Sequence, residues 1–187
     1  MGERIRMNEL LFYRIALGAA GILFALFAAW TFRLSPGNLS RFEAWPRRRL
    51  PGMLIGWAAL AICVPHAEVV SPGFLVPLLW PLTIAVPILG YFFVDYPLAR
   101  ALGGISILGA YYFIHKSFEW HTPLLGALVV PAWIFGIAGI WVSGKPCALR
   151  DWIRLCAGSK TWRSVSAAFW CILTLALFWS AAMTTGE

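Results

Sequence analysis

The run GFLVPLLWPLTIAVPILGYFFV, residues 73–94, decides the fold, because it holds 22 consecutive positions without one charged side chain. A helix needs about 20 mostly apolar residues to cross the hydrocarbon core of a bilayer, whereas a buried helix of a soluble domain makes do with a shorter run. Three prolines, Pro77, Pro81 and Pro87, would break such a helix in water. Membrane helices accept prolines where neighbouring groups re-satisfy the freed carbonyls, so a kinked spanning helix is expected here.

Working outward from this run, similar stretches lie at 10–32, 52–70, 98–118, 123–142 and 164–183. The stretch 52–70 is the weakest, because Pro65, His66 and Glu68 interrupt it. No ten-residue alternation of a barrel strand occurs, and lipid tolerates no unpaired backbone, so every stretch is expected to be helical. The 18 apolar residues from Ile15 to Phe32 exceed the usual core of a cleaved leader and are read as a retained first span. The whole chain agrees: of 187 residues 60% are hydrophobic and 12% charged, with a mean hydropathy of +0.76. A soluble domain carries about 25% charged residues, so a water-soluble globule is excluded. The expected fold is all-α: one integral membrane domain over residues 1–187, a polytopic bundle of six transmembrane helices.

Fifteen Lys and Arg against eight Asp and Glu give a net charge of +7. The basic residues flank the apolar runs, which points to lipid headgroups and topology rather than to nucleic acid. With six spans, one side holds Arg33, Arg41, Arg47, Arg48, Arg49, Arg100, Lys145, Arg150, Arg154, Lys160 and Arg163; the other holds Arg4, Arg6, Arg14 and Lys116. By the positive-inside rule the first side is cytoplasmic and both termini lie outside, although the three N-terminal arginines pull the other way. Arg47, Arg48, Arg49, Arg150, Arg154, Lys160 and Arg163 are the candidate headgroup and topology residues.

Two of the basic connectors carry more pattern than a loop needs. In KPCALRDWIRLC, residues 145–156, the apolar Leu149, Trp152, Ile153 and Cys156 recur at i, i+3, i+4 and i+7, opposite Arg150, Asp151 and Arg154. This is an amphipathic helix lying in the interface near 146–157, begun by Pro146 and stopped at Gly158. The segment SPGNLSRFEAWPRRR, residues 35–49, repeats the order proline, leucine, arginine, aromatic, basic cluster, so a second short interfacial helix is expected near 36–45. The two span–surface helix–span units could be degenerate parallel copies, or could share features because every cytoplasmic connector favours bases and aromatics.

Candidate chemistry is sparse. On the outer side, His66 and Glu68 follow the second span, and Glu119 and His121 follow the fourth; converging, they would suit a metal ion or a proton relay. The set lacks a His-Glu-x-x-His pattern, and interfacial His and Glu are also ordinary membrane anchors. Haem ligation between His66 and His115 has no second histidine pair behind it. Cys63, Cys147, Cys156 and Cys171 match neither a zinc site nor a disulfide framework. Asp95 and Arg100 bracket a short turn and could pair. Ser106, Ser117 and Ser166 have no adjacent base and are expected to bond across helices. Gly18, Gly21, Gly103, Gly104, Gly136 and Gly139 are small enough to let helices approach closely, within a chain or between chains. Eleven tryptophans, mostly near span ends, fit aromatic belts, with a pigment or quinone pocket as the functional alternative.

The motifs RALGG at 100–104 and PxxLRD at 146–151 followed by Trp162-Arg163 resemble those of a bacterial multi-pass inner-membrane protein family to which no activity is assigned. The resemblance covers about the last ninety residues and implies a bacterial inner membrane without implying a catalytic group. With no catalytic motif, the expected role is a scaffold or accessory subunit that acts through helix packing and a basic, lipid-facing surface. Its partners would be anionic lipid headgroups and proteins of a membrane complex or a second copy of the chain, with no nucleic acid and no cofactor. The alternatives are a small-solute or lipid carrier or channel working near Pro81 and Thr83, and a metal-dependent enzyme at the outer interface.

Overall fold

The computed structural model describes residues 2–121 and 125–184, with side chains from Met7 onward except at 125–128. Among these residues every regular element is helical: α1 (Gly2–Arg33), α2 (Leu39–Glu43), α3 (Arg49–Val70), α4 (Val76–Phe93), α5 (Pro97–Glu119), α6 (Leu125–Gly144), α7 (Cys147–Gly158) and α8 (Lys160–Met183). Five of them, α1, α3, α4, α5 and α8, are long and apolar enough to cross a membrane. The sixth expected span, 123–142, begins on residues 123 and 124, outside the described residues; α6 supplies 20 helical positions from Leu125. A sixth is reached only if α6 and α7, bent 112° apart at their junction, count together as one broken span.

Several helix boundaries differ from the expected ones. The first helix starts at Gly2 rather than near residue 10, and at 1.5 Å per residue its 32 residues extend about 48 Å, well beyond a hydrocarbon core of about 30 Å. α3 begins at Arg49 and continues through Pro65 to Val70, so the interruption read at Pro65 does not end it. α4 likewise runs unbroken through Pro81 and Pro87, with Pro77 in its first turn, where the missing N–H is harmless. The single interfacial helix expected near 36–45 is instead three short pieces: a 3-10 turn at Pro36–Asn38, α2, and a second 3-10 turn at Trp45–Arg47. Pro46 explains the break, because its ring and its missing N–H stop α2 from continuing.

The chain gathers into two compact units. In one, α1 packs along α8, joined by the last part of α5. Tyr13, Leu17, Trp120 and Leu177 form its buried core, with Leu10, Phe24, Tyr112, Phe113, Ala176 and Ala181 around them. Phe24 and Phe27 stack on Trp170 with ring centroids 5.5 and 5.6 Å apart. Gly21 lies against the Phe178 ring, where an added Cβ would come within 3.2 Å. Polar groups are absorbed locally: the Tyr13 hydroxyl meets Ser117 Oγ at 3.0 Å, Arg14 donates to the Ala181 carbonyl at 2.9 Å, and Arg163 donates to the Leu34 carbonyl.

In the other unit, α3 packs on α4, and the first half of α5 crosses the end of α6. That crossing is backbone on backbone. A Cβ at Gly103 would sit 2.4 Å from Ser143 Oγ and 2.7 Å from the Gly139 carbonyl; one at Gly139 would sit 2.6 Å from the Gly103 carbonyl. Only residues without a side chain permit this approach, which dispersion and interhelical contacts then stabilise in lipid. The glycines expected to mediate packing therefore divide. Gly21, Gly103 and Gly139 do so, whereas a Cβ at Gly18 or Gly104 meets nothing within 4 Å because each faces open space. The expected bonding of serines across helices also divides: Ser117 reaches Tyr13, but Ser106 bonds back to the Leu102 carbonyl of its own helix at 2.7 Å.

The amphipathic pattern of 146–157 is realised in α7. Ile153, Cys156 and Ala157 are buried, while Asp151 and Arg154 are exposed. The apolar face is thus covered by protein. Cys156 lies 3.5 Å from Ser166 Oγ, and burial pushes its thiol pKa up, which leaves it a poor nucleophile at neutral pH.

Candidate functional site

The connector between α4 and α5 is three residues long, Val94 to Tyr96, and it carries an unusual backbone. Tyr96 has φ 56°, in the left-handed region that side chains other than glycine rarely adopt. It also precedes Pro97, and a residue before proline is ordinarily extended. Such an outlier persists only where the surroundings hold it, and here they do. Arg100 Nε donates to the Asp95 carbonyl at 3.3 Å and its terminal N–H to the Ser143 carbonyl at 2.8 Å, tying the turn to the end of α6. The expected pairing of Asp95 with Arg100 therefore runs through the Asp95 backbone, and the carboxylate stays exposed.

A second close approach brings α3 onto this turn. A Cβ at Gly52 would lie 2.5 Å from the Leu98 nitrogen and 2.6 Å from the Pro97 carbonyl carbon. With the first turn of α3 pressed on the first turn of α5, the run Arg47–Arg49 has to lie beside Tyr96. Arg47 donates to the Tyr96 hydroxyl at 2.7 Å, its guanidinium 5.0 Å from the ring centroid. Arg49 lies over Tyr91 at 5.9 Å and Arg48 over Trp45 at 5.9 Å. From α7, Arg150 also reaches the Tyr96 hydroxyl, at 3.4 Å. Its bond to Asp151 raises the Arg150 pKa above the ordinary guanidinium value, so it stays charged at any physiological pH.

Arg47, Arg49, Val94, Asp95, Tyr96 and Pro97 line an open pocket of about 310 Å³. Two guanidinium groups and one carboxylate leave its wall with a net positive charge. Guanidinium forks and a phenol are the groups that recognise phosphate and carboxylate, and a basic pocket at helix ends is where lipid headgroups bind. Of the expected headgroup residues, Arg47, Arg49 and Arg150 are brought together. Arg154 and Lys160 lie exposed on α7 and α8, and Arg163 is engaged by the Leu34 carbonyl. Tyr96 and Gly52, which organise the cavity, carry no signal in the sequence that separates them from other interfacial tyrosines and span glycines.

Of the residues read as a metal set, His66 and Glu68 belong to one compact unit and Glu119 and His121 to the other. Among the described residues no three His, Cys, Asp or Glu side chains gather as a metal ion would require. Glu119 pairs with Lys116 at 2.8 Å, one turn earlier on α5. His121 sits just beyond α5 with φ 43°. Lys116 also faces Glu9 at 3.8 Å, and with Asn8, Glu9, Phe12 and Tyr112 it lines a second cavity of about 430 Å³. Neither cavity is lined by Pro81 or Thr83 of α4. No protein-family model, curated protein or solved structure matches the chain.

Proposed function

We propose that the chain is a multi-pass protein of a bacterial inner membrane that works by binding, as a scaffold or accessory subunit of a membrane complex. In this reading its basic connectors lie on the cytoplasmic side against anionic lipid, and both termini lie outside. The observation that carries it is the meeting of three connectors at one phenol: Arg47 before α3, Tyr96 between α4 and α5, and Arg150 after α6. Connectors that meet at one point have an even number of crossings between them, and α5 is one of the two long helices between Tyr96 and Arg150. That parity supports a crossing at α6 and supports the positive-inside orientation.

The outward faces support the same reading. On α4, Leu78, Trp80, Ile84, Ile88, Phe92 and Phe93 are all exposed, a surface suited to lipid or a neighbouring apolar helix. The test is purification of the full chain in a mild detergent that retains annular lipid, followed by native mass spectrometry. A stoichiometric protein partner or a stable homo-oligomer is expected. A monomer carrying a stoichiometric apolar solute would contradict the scaffold reading and favour a carrier.

A further inference from the structure

We propose that the open pocket lined by Arg47, Arg49, Asp95 and Tyr96 is a discrete site for one phospholipid headgroup, a phosphodiester that carries a free hydroxyl. This deepens the lipid-facing reading above and rests on it.

The donor geometry supplies the phosphate half. A guanidinium has five N–H donors, and Arg47 gives one to Tyr96. Its remaining donors, and those of Arg49, border the same cavity. The phenol oxygen accepts from both Arg47 and Arg150, which occupies its two lone pairs and leaves its own proton to be donated. Among the described residues no acceptor for that proton is found. A phosphate oxygen would supply one, with the charge-assisted bonds that make arginine the common partner of phosphate.

The carboxylate supplies the selectivity. Asp95 is exposed and lines the wall, so a doubly charged phosphomonoester would meet repulsion there, whereas a hydroxyl could donate to it. The wall's two positive charges and one negative charge match a single phosphodiester charge plus a hydroxyl donor. Size and place agree. Pockets for small molecules run from roughly 300 to 1,000 Å³, so about 310 Å³ takes a headgroup and leaves acyl chains outside. The cavity opens where α3, α4 and α5 begin or end, the level at which headgroups lie, which favours a lipid over a free anion. The strained Tyr96 backbone is then the cost of holding one hydroxyl beneath two guanidinium groups.

The experiment titrates the purified full chain with phosphatidylglycerol, phosphatidylethanolamine, phosphatidic acid or inorganic phosphate and counts bound molecules by native mass spectrometry. One phosphatidylglycerol per chain is expected, ahead of the other three probes. Arg47→Gln and Arg49→Gln each weaken it by about tenfold or more, the value of a charge-assisted bond. Tyr96→Phe weakens it while keeping the ring. Asp95→Asn narrows the gap between phosphatidylglycerol and phosphatidic acid. Arg41→Gln removes the same charge from the same connector outside the cavity and should change binding by less than about twofold.

If Arg41→Gln costs as much as Arg47→Gln, only diffuse surface charge attracts lipid; the site is overturned and the lipid-facing reading stands. If the unaltered chain shows no preference for phosphatidylglycerol over phosphatidylethanolamine, both fall. Displacement of the lipid by millimolar inorganic phosphate would make this a free-anion site and would overturn the headgroup assignment.

Discussion

Gly103→Ala is expected to destabilise the protein in detergent by about 3 kcal/mol, the upper end of the usual overpacking range. The added methyl group would have to occupy space 2.4 Å from Ser143 Oγ and 2.7 Å from the Gly139 carbonyl oxygen. The serine could rotate, but the carbonyl belongs to the backbone of α6 and cannot yield without moving the helix. The neighbouring position gives the opposite sign. A Cβ at Gly104 meets nothing within 4 Å, so Gly104→Ala should leave stability unchanged or raise it by up to about 1 kcal/mol through helix propensity. Thermal unfolding followed by circular dichroism measures both. Equal melting temperatures for the two variants would remove the tight crossing of α5 and α6 from the account.

The second large effect joins fold to site. Gly52→Val is expected to abolish phosphatidylglycerol retention and to lower stability by about 3 kcal/mol, because its branched side chain collides with the backbone at Pro97 and Leu98. The collision lifts the first turn of α3 away from the first turn of α5, carrying Arg47 and Arg49 off Tyr96. One turn further along α3, a Cβ at Gly56 finds only the Ala101 methyl at 3.9 Å, so Gly56→Ala should leave both stability and retention near their original values. Loss of stability with retention intact would separate the close approach at Gly52 from the assembly of the cavity.

These two positions also show what the sequence could disclose. The spans were legible because length and freedom from charge are local properties, and residues 73–94 have both. The face of α7 was legible for the same reason, since a period of 3.6 residues is written in neighbouring positions. The basic residues were legible only as charge placed beside apolar runs. Their convergence was not, because Arg47 and Arg150 reach Tyr96 from 49 and 54 residues away. Gly52 could not be distinguished from Gly104 either, since a glycine's role depends on the backbone that faces it. The left-handed backbone of Tyr96 left no mark in the sequence either, since a residue before proline is ordinarily extended.

Spacing along one helix puts Lys116 and Glu119 on the same face of α5, where they form an i,i+3 ion pair. Pro46 breaks the first surface helix where Pro146 begins the second, so two connectors with the same order of residue types fold differently.

The central claim, that the connectors at Arg47, Tyr96 and Arg150 share one face of the membrane, is tested most directly by single-cysteine labelling in sealed vesicles of known orientation. In a background with the other cysteines replaced, an Arg48→Cys reporter and the native Cys147 are each challenged with a membrane-impermeant maleimide. Both are expected to react only when the cytoplasmic face is exposed. Labelling of the two from opposite sides would contradict the account.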